Sequence, residues 1–398
     1  MQKLETLTII FTMLSLCVCE KKIKKEQIQW QTLQNNIQHT GHSYIVGPKS
    51  AKFKWQLDLR DNSPSYSTPI IDSFGNIYVC NYRDVLYAIN KEGRLLWKFE
   101  SPKAHEIQIP QIAAPLLLYN RDIIYGTIGG LIYSIDHEGT INWSYDTGSP
   151  ITIAPTCLSD SLILIGNNIG NLYAFDYHGV IKWKMKINER IVESSPAVSK
   201  NRRIVYLGAE NKFYAISSSG KIKWHYDTEG TIVSSPLVDL NDNIYFGAGL
   251  STHVSFVKPN GSIGSRTIQD DTSIYSLDNN GKLRWRLQTE RPIQLPGAYD
   301  PKDNAVYFSS DECVLYKIDC ESGNLIWKNK FKNGCPLVPI IDSQQNLYVG
   351  TSNGIIYSLN KNGRIQWNCP VEGLPMYLSI CKESTIYTGG NSKIYAIH

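Results

Sequence analysis

A repeat of about 41 residues runs through most of this 398-residue chain and limits the folds that it can adopt. Each unit contains a segment of the form apolar-Tyr-x-apolar. These segments are LYAIN 86–90, IYSID 132–136, LYAFD 172–176, FYAIS 213–217, IYSLD 274–278, LYKID 315–319, IYSLN 356–360 and IYAIH 394–398. Their tyrosines are successively 46, 40, 41, 61, 41, 41 and 38 residues apart. A period of this size, with short alternating segments, is typical of the blades of a β-propeller.

A tight turn and a tryptophan follow seven of these segments. The turn has the form Asp/Asn-x-x-Gly, with Ser217 at its first position in one unit and one extra residue between Asp319 and Gly323 in another. Asp, Asn and Gly suit such turns because they accept positive φ angles. The tryptophans at the repeat position are Trp97, Trp143, Trp183, Trp224, Trp285, Trp327 and Trp367, and Trp55 stands in a similar strand before the first unit. A tryptophan buries about 150–250 Å² and can wedge between adjacent blades.

Two further strand-like segments precede each Tyr segment, so that each unit supplies four strands. One carries a second tyrosine, as in NIYVC 76–80, and the other is marked by proline, as in YSTP 66–69. No unit sustains a 3.6-residue apolar period over ten residues, which argues against helices. The sequence therefore predicts an all-β fold, an eight-bladed β-propeller of four-stranded antiparallel blades.

The two ends of the repeat region complete one blade between them. Trp55 has no Tyr segment before it, and IYAIH 394–398 has no tryptophan after it. We therefore expect residues 51–59 to supply the outer strand of the eighth blade and residues 373–398 to supply its other three strands. Closure by the N-terminal strand removes a free sheet edge and locks the ring. The predicted propeller domain spans residues 51–398.

The first 19 residues have the features of an export signal. The apolar run Leu7–Leu16 is too short to span a bilayer and suits a signal peptide. Cysteines follow this run at once, as in bacterial lipoprotein signals, and we expect lipidation of Cys19, with Cys17 as the alternative. An ordinary cleaved signal and a retained anchor are the other interpretations. Residues 20–50 are then a tether and lead-in segment, in which Glu20–Trp30 is expected to be solvated.

The remaining cysteines and the net charge exclude several kinds of function. The other cysteines are at positions 80, 157, 313, 320, 335, 369 and 381, without metal-ligand spacing. We interpret them as free buried thiols, and an isolated bridge is left open. Lys and Arg number 40 against 36 Asp and Glu, and 35 against 33 from residue 27 onward. A nearly neutral body lacks the basic face that nucleic acid requires, so no nucleic-acid partner is expected.

The Tyr segment, the Asp-x-x-Gly turn and the Trp strand resemble the repeats of the quinoprotein-type (PQQ-repeat) β-propellers over residues 51–398. The stretch Trp30…Asn35…His39-Thr40-Gly41 also resembles the lead-in segment of that family. With a lipoprotein-like signal and one uninterrupted eight-bladed ring, the whole-chain plan is similar to the lipoprotein component B of the bacterial outer-membrane β-barrel assembly machine. This resemblance implies a scaffold that binds protein partners in the cell envelope.

Enzymes of the quinoprotein type bind pyrroloquinoline quinone on the propeller axis, with Ca²⁺, a stacking tryptophan, a pair of adjacent cysteines and an Asp base. Here no two cysteines are adjacent, and eight of the nine tryptophans occupy repeat positions. One long insertion, Ala248–Thr272, breaks the period. Its polar and charged residues include His253, Lys258, Arg266, Asp270 and Asp271. We interpret the insertion as a solvated or partner-contact loop, because adjacent aspartates on a strand point to opposite faces and do not readily share a cation.

The sequence therefore favours a binding protein over an enzyme. His39-Thr40-Gly41-His42 has no third metal ligand nearby, and the serines of Ser194-Ser195-Pro196 and Ser234-Ser235-Pro236 are repeat positions. We predict a monomeric, exported, membrane-tethered propeller facing the periplasm, at the outer rather than the inner membrane. It has no catalytic residue, cofactor or metal in this interpretation. The alternative is a quinoprotein-type enzyme or a small-ligand sensor that uses the axial funnel.

Overall fold

The structure, a computed structural model, describes most of the chain from Ile28 to the C-terminus. The described residues are 28–61, 63–102, 113–159, 162–191, 193–257 and 263–398. They form β-strands and turns, and none of them is helical. The predicted signal peptide, with Cys17 and Cys19, lies outside the described residues.

Eight four-stranded antiparallel sheets form the blades, numbered here along the chain. Strand β1 (Phe53–Asp58) comes first in the chain but belongs to the eighth blade. The first blade holds β2 (Ile70–Ile71), β3 (Ile77–Cys80), β4 (Val85–Ile89) and β5 (Leu95–Glu100), and the second holds β6 (Leu116–Leu117), β7 (Ile123–Gly126), β8 (Leu131–Ile135) and β9 (Ile141–Asp146). The third blade holds β10 (Thr156–Ser159), β11 (Leu162–Gly166), β12 (Asn171–Phe175) and β13 (Ile181–Lys186), and the fourth holds β14 (Ala197–Val198), β15 (Ile204–Ala209), β16 (Lys212–Ser217) and β17 (Ile222–Asp227).

The second half of the ring follows the same plan, with one insertion. The fifth blade holds β18 (Leu237–Val238), β19 (Ile244–Ala248), β22 (Ser273–Leu277) and β23 (Leu283–Gln288), and the sixth holds β24 (Ala298–Asp300), β25 (Ala305–Ser310), β26 (Val314–Asp319) and β27 (Leu325–Lys330). The seventh blade holds β28 (Ile340–Ile341), β29 (Leu347–Gly350), β30 (Ile355–Leu359) and β31 (Ile365–Pro370), and the eighth holds β32 (Leu378–Cys381), β33 (Thr385–Gly389) and β34 (Lys393–Ile397) together with β1. Strands β20 (Ser251–Val257) and β21 (Ile263–Gln269) form a separate two-stranded sheet.

The strands of each blade lie in order from the ring axis outward. The first strands of neighbouring blades contact one another, as β2 does with β6 and β32, and they are buried. Outermost strands such as β5 and β9 alternate exposed and half-buried side chains. Tyrosines and aliphatic residues of the middle strands fill the space between the sheets. This architecture confirms the predicted eight-bladed propeller.

The N-terminal strand closes the ring as predicted. Strand β1 pairs antiparallel with β34, placing Trp55 opposite Ala396 and Leu57 opposite Ile394. The eighth sheet therefore has the order β1-β34-β33-β32. Beyond the paired strands, Lys52 and His398 exchange backbone hydrogen bonds of 3.1 and 2.7 Å. The two ends of the propeller domain are thus held within one sheet.

Each repeat tryptophan fastens its own blade to the next. The Trp55 indole N–H donates to the Lys91 carbonyl oxygen, in the outer turn of the first blade, at 2.9 Å. The ring lies against Gly93 of that turn, where φ is +81° and an added Cβ would come within 2.6 Å of the indole. Glycine is therefore required both for the backbone conformation and for the space beneath the indole.

The same contact recurs around the ring with nitrogen–oxygen distances of 2.9–3.2 Å. The other donor and acceptor pairs are Trp97–His137, Trp143–Tyr177, Trp183–Ser218, Trp224–Asn279, Trp285–Cys320, Trp327–Lys361 and Trp367–Pro48. In the last pair the acceptor comes from the N-terminal segment, because the eighth blade has no Asp-x-x-Gly turn. The eight repeat tryptophans therefore lie at blade interfaces on the outer strands.

One disulfide bond, between Cys313 and Cys335, joins two neighbouring blades. Cys313 lies in the turn between β25 and β26, and Cys335 lies in the connection to the seventh blade. The described cysteines outside this bridge are buried thiols: Cys80, Cys157, Cys320, Cys369 and Cys381. The interpretation as buried thiols holds for these five, and the bridge that the sequence left open is present. Its 22-residue separation corresponds to about 3 kcal/mol of stabilisation in the chain-entropy model.

The insertion in the fifth blade forms a β-ribbon. Strands β20 and β21 pair antiparallel over their full length, from Ser251 opposite Gln269 to Val257 opposite Ile263. The prediction of a loop is wrong in this respect. A ribbon pairs its own backbone N–H and C=O groups, which a loop of the same length would leave to solvent.

Deleting residues 51–59 should lower the free energy of unfolding by several kcal/mol. The eighth blade would lose its outer strand, and the first blade would lose the Trp55 indole from its turn. Truncating a fully buried tryptophan costs about 3–5 kcal/mol, and the half-buried Trp55 contributes part of this in addition to the lost strand pairing. Urea unfolding of the deletion variant measures the loss. The matched control is Gln56→Ala on the same strand, where the side chain is exposed and little change is expected. Unchanged unfolding of the deletion variant would show that β1 does not hold the ring closed.

Candidate functional site

The N-terminal lead-in segment crosses the ring axis, and we call residues 28–48 the axial plug. The side chains of Trp30, Leu33, Ile37 and His39 are at most 3% exposed. The plug lies at the ends of the innermost strands where the first turn of each blade begins. We call this side of the ring the plug face. In an antiparallel blade the turn between the second and third strands lies at the opposite end, so the ribbon emerges on the other side, the ribbon face.

The plug pairs with the inner edges of the blades. Six innermost strands each donate one backbone N–H to a plug carbonyl at 2.8–2.9 Å. The donor and acceptor pairs are Ile71–Trp30, Leu117–Gln31, Val198–Ile37, Val238–Gln38, Tyr299–Thr40 and Ile341–Gly41. In the third blade the Pro155 carbonyl accepts from the Thr32 hydroxyl, and in the eighth the Lys382 N–H donates to the Gln29 side chain at 2.6 Å. The plug thereby satisfies inner-edge groups that would otherwise face an open channel.

Two buried polar side chains hold the centre of the plug. The Gln34 amide donates to the Gly297 and Pro339 carbonyl oxygens at 2.6 and 3.1 Å. The Nδ1 atom of His39 lies 3.1 Å from the Pro236 carbonyl oxygen, and because only an N–H can pair with a carbonyl, Nδ1 carries the proton. Complete burial lowers the pKa of His39 from 6.5 to about 4, so the imidazole is neutral at pH 7.

The position of Trp30 corrects the predicted tether. Its side chain is fully buried and its backbone pairs with Ile71, so the chain is part of the fold at this point and is not solvated. The indole N–H has no acceptor among the described residues. A signal was present in the sequence, since Trp30, Leu33 and Ile37 are apolar residues in an otherwise polar stretch. They follow no strand or repeat period, so their partners could not be assigned.

Among the described residues, one small cavity lies beside the plug. The cavity lined by Leu33, Ala114, Glu193 and Tyr377 measures about 10 Å³, which is enough for one water molecule. The described part of the chain contains no group of three His, Cys, Asp or Glu residues that could hold a metal ion. The repeat tryptophans lie on the outer strands, so none of their rings lies at the axis. The residues at this level of the axis therefore do not fit a quinone with Ca²⁺.

Neither the thiols nor the repeat serines are arranged as nucleophiles. Burial raises the pKa of the Cys80 and Cys320 thiols to about 12, so they stay protonated at pH 7. The Ser195 hydroxyl oxygen accepts from the Ala154 N–H, and the Ser235 hydroxyl oxygen accepts from the Ser195 N–H, both at 2.9 Å. These serines link successive blades, in agreement with the structural role predicted for them.

The two aspartates at the base of the ribbon, Asp270 and Asp271, interact with different groups. The Asp270 carboxylate accepts from the backbone N–H groups of Thr231 and Leu250 at 2.8 and 2.6 Å. The Asp271 carboxylate is nearly buried and lies 3.1 Å from the Arg286 guanidinium. The two carboxylates are therefore used to anchor the ribbon to its blade and do not share a cation.

A buried aspartate, which the sequence analysis did not single out, begins the first turn of three blades on the plug face. Asp72, Asp239 and Asp342 begin the first turn of three blades and are buried. Asp239, for example, accepts from the Asn241 N–H at 2.7 Å and from the Tyr245 hydroxyl at 2.8 Å. The other two aspartates accept from the equivalent groups. The spacing Asp-x-x-x-Asn-x-Tyr occurs at all three places and is the signal that could have identified it.

The fold and the repeats define the class of this protein, a quinoprotein-type eight-bladed β-propeller. Solved structures of that shape include quinohemoprotein alcohol dehydrogenases from Pseudomonas putida HK5 and Comamonas testosteroni. The first has a TM-score of 0.71 at 13% identity, covering 93% of this chain and 80% of that chain. The second has a TM-score of 0.71 at 14% identity, covering 92% and 80%. At such low identity these similarities show the fold alone.

Within this class the chain belongs to the family of the outer membrane protein assembly factor BamB, whose model matches residues 44–190, 168–249 and 270–396. The crystal structure of BamB from Moraxella catarrhalis is similar, with a TM-score of 0.67 at 13% identity, covering 87% of this chain and 99% of that chain. A tetrathionate hydrolase from Acidithiobacillus ferrooxidans is 26% identical over 182 residues, which is 43% of this chain. The match spans 36% of the length of that curated relative.

Replacing His39 by asparagine should flatten the pH dependence of stability between pH 6.5 and pH 4. The folded state keeps His39 neutral down to a pKa of about 4, whereas the unfolded chain takes up this proton below pH 6.5. Stability therefore falls as the pH drops through this window, by about 3 kcal/mol from this residue, and the loss is absent above pH 6.5. Asparagine tolerates the φ of 56° at this position.

Urea unfolding at pH 7 and pH 4.5 measures how much the free energy of unfolding changes with pH in each variant. The control is His178→Asn, which removes an exposed histidine from an outer turn and should keep the wild-type pH dependence. If the free energy of unfolding changed equally with pH in the wild type and in His39→Asn, His39 would not be held neutral in the plug.

Proposed function

We propose that this protein is an exported propeller, tethered to a membrane by lipid, that binds protein partners in the cell envelope and performs no chemistry itself. It acts as a scaffold in outer-membrane protein assembly. Membership of the BamB family supports this role, since that family is described by an outer membrane protein assembly factor.

The observation that carries the proposal is the axial plug. Quinoprotein-type enzymes place their cofactor on the propeller axis, and in this chain the plug backbone crosses the axis and bonds to all eight blades. Displacing it would break the six backbone hydrogen bonds described above, each with a net contribution of about 1 kcal/mol, and those that the plug N–H groups donate to Ile71 and Ile341. It would also expose the buried side chains of the plug. The alternative, an enzyme or a sensor that uses the axial funnel, is supported by the fold shared with quinohemoprotein dehydrogenases and by the partial match to a tetrathionate hydrolase.

The two faces of the ring suit different tasks. The plug enters the ring at Ile28 on the plug face, so a tether from this point leaves the ribbon face free for a partner. That face carries the ribbon and a pair of half-buried tyrosines, Tyr66 and Tyr82, whose rings pack edge to face at 6.0 Å. Tyrosine and arginine are frequent anchors of protein interfaces, and the exposed Arg83 adjoins this pair. The ribbon face is therefore the partner surface in this proposal.

The disulfide supports export from the cytoplasm. Disulfide bonds form and persist in oxidising compartments, and Cys313–Cys335 links connections on the ribbon face. Among the residues described from Ile28 onward, no helix is long and apolar enough to span a bilayer. Attachment to the membrane in this proposal comes from lipid on Cys19, or on Cys17.

Replacing residues 251–269 by an Asn-Gly turn should weaken partner capture without unfolding the ring. The turn would join Leu250 to Asp270, as short turns join the middle strands of the other blades. In-cell crosslinking with mass spectrometry should recover an outer-membrane assembly component with the wild type and about tenfold less of it with the shortened variant. Thermal unfolding should be unchanged, because the ribbon forms a sheet of its own.

The matched control replaces Lys361 and Asn362, both exposed in an outer turn on the plug face, by serine. This variant should capture the partner as the wild type does. Equal capture by the shortened variant would exclude the ribbon as a contact. Turnover of an alcohol by the purified protein with quinone and Ca²⁺ would overturn the non-catalytic role.

Intact-mass measurement of the protein from membranes should show an acylated cysteine at the mature N-terminus. The apolar run ending in Cys17 and Cys19 motivates this expectation. The variants Cys19→Ser and Cys17→Ser distinguish the two positions, since only one should release the protein into the soluble fraction. A mature chain that begins elsewhere and is recovered in the soluble periplasm would show that no lipid is attached.

A further inference from the structure

Two open cavities lie side by side on the plug face. One measures about 350 Å³ and the other about 390 Å³. Asn36 and Tyr44 of the plug line both of them, so the cavities are neighbours that share a wall. Each is within the range of small-molecule sites, which runs from about 300 to 1,000 Å³. The partner surface of the proposed function, the ribbon face, lies on the opposite side of the ring from this place.

The larger cavity is built from alternate plug residues and from the first turns of three blades. The plug side contributes Asn36, Gln38, Thr40, His42 and Tyr44, and the blade side contributes Lys200, Arg202, Val238, Asp239, Leu240, Tyr299 and Pro301. Between these residues, the side chains of Ile37 and His39 are buried in the ring interior. The lining therefore mixes apolar surfaces with polar donors and acceptors.

Several polar groups of this lining are available to a ligand. The Gln38 side-chain amide has no hydrogen-bond partner among the described residues. The His42 ring is 7% exposed, and burial lowers its pKa, so the neutral ring offers one donor and one acceptor. The Lys200 ammonium donates to the Leu240 carbonyl oxygen at 3.2 Å, which leaves two of its three protons for a ligand.

The charges of the lining favour a neutral ligand. Lys200 and Arg202 share the lining with the Asp239 carboxylate. Just outside it, the Asp242 carboxylate accepts from the backbone N–H of Lys200 at 2.6 Å. An anion would meet these carboxylates, and the described residues offer no metal-binding group of three ligands. A wholly apolar ligand would leave the Gln38 amide unpaired, which costs about 1–3 kcal/mol for a buried polar group.

Tyr44 stands between the two cavities as a free aromatic surface. Its side chain is 84% exposed, and its ring packs edge to face against His42 at 5.2 Å. A sugar ring has an apolar C–H face that stacks on an aromatic ring, while its hydroxyl groups need donors and acceptors of both kinds. The side-chain groups around Tyr44 meet both requirements.

We propose that the two cavities form one binding site for a neutral linear oligosaccharide. One sugar stacks on Tyr44, and its neighbours along the chain occupy the cavities on either side. Gln38 and His42 bond to hydroxyl groups in the larger cavity, and Lys200 donates at its rim. This site is independent of the proposed scaffold role, because it lies on the face opposite to the ribbon.

Isothermal titration of the full-length protein with two neutral probes, chitotetraose and cellotetraose, tests the site. At least one of them should bind, and about tenfold more tightly than its own disaccharide, because only the longer chain reaches both cavities. Tyr44→Ala should weaken the tetrasaccharide about tenfold and leave thermal unfolding unchanged, since the side chain is largely exposed. Tyr44→Phe, which keeps the ring, should bind like the wild type.

Gln38→Ala provides a second, independent variant, and it should weaken the tetrasaccharide about fivefold by removing one hydrogen-bonding group. No binding of either tetrasaccharide at millimolar concentration would overturn the proposal. Binding that is equal in wild type, Tyr44→Ala and Gln38→Ala would place the sugar elsewhere on the ring and overturn it as well. Neither result bears on partner capture by the ribbon face, so the two proposals fail separately.

Discussion

The contact between a tryptophan and the turn of the next blade is the interaction on which the rest of this structure depends. A blade on its own is a small twisted sheet with two apolar faces, and it becomes stable only when both faces are covered. The indole covers part of the neighbouring sheet, and its N–H bonds to the backbone of the neighbouring turn, as Trp55 does with Lys91. The same pair recurs at seven of the eight interfaces, and at the eighth Trp367 donates to Pro48 of the N-terminal segment. The outer edge of the ring is therefore held by a tryptophan contact at every interface.

At the inner edge of the ring the innermost strands lack a partner strand, and the plug pairs with them instead. Innermost strands have one side without a partner strand, and their N–H groups would face a channel. The plug supplies carbonyl oxygens to six of them and side-chain contacts to the other two. The plug backbone occupies this part of the axis in the described part of the chain. The same hydrogen-bonding requirement that stabilises the ring therefore underlies the proposal that its faces bind partners.

The candidate site shows which kinds of residue a sequence can assign. The structural role of Ser195 and Ser235 followed from their place in the repeat, and the structure shows the interblade bonds that they make. The site around Tyr44 could not be predicted, because it is assembled from plug residues and from turns such as the one at Lys200, about 160 residues away. Nor could the partner of Cys313 be named, since Cys335 belongs to a connection that the repeat leaves variable.

The sequence by itself determined the number of blades, the strand order and the closure of the ring, because each of these rests on contacts that repeat at a fixed spacing. The unmatched Trp55 and the unmatched segment 394–398 were sufficient to place β1 against β34. Tertiary structure alone decided the course of the plug, the disulfide and the ribbon. Trp30 and His39 have no counterparts in the repeat, and their partners lie up to about 200 residues away, at Pro236 for His39. Such contacts are selected by the shape of the completed ring, which no local pattern contains.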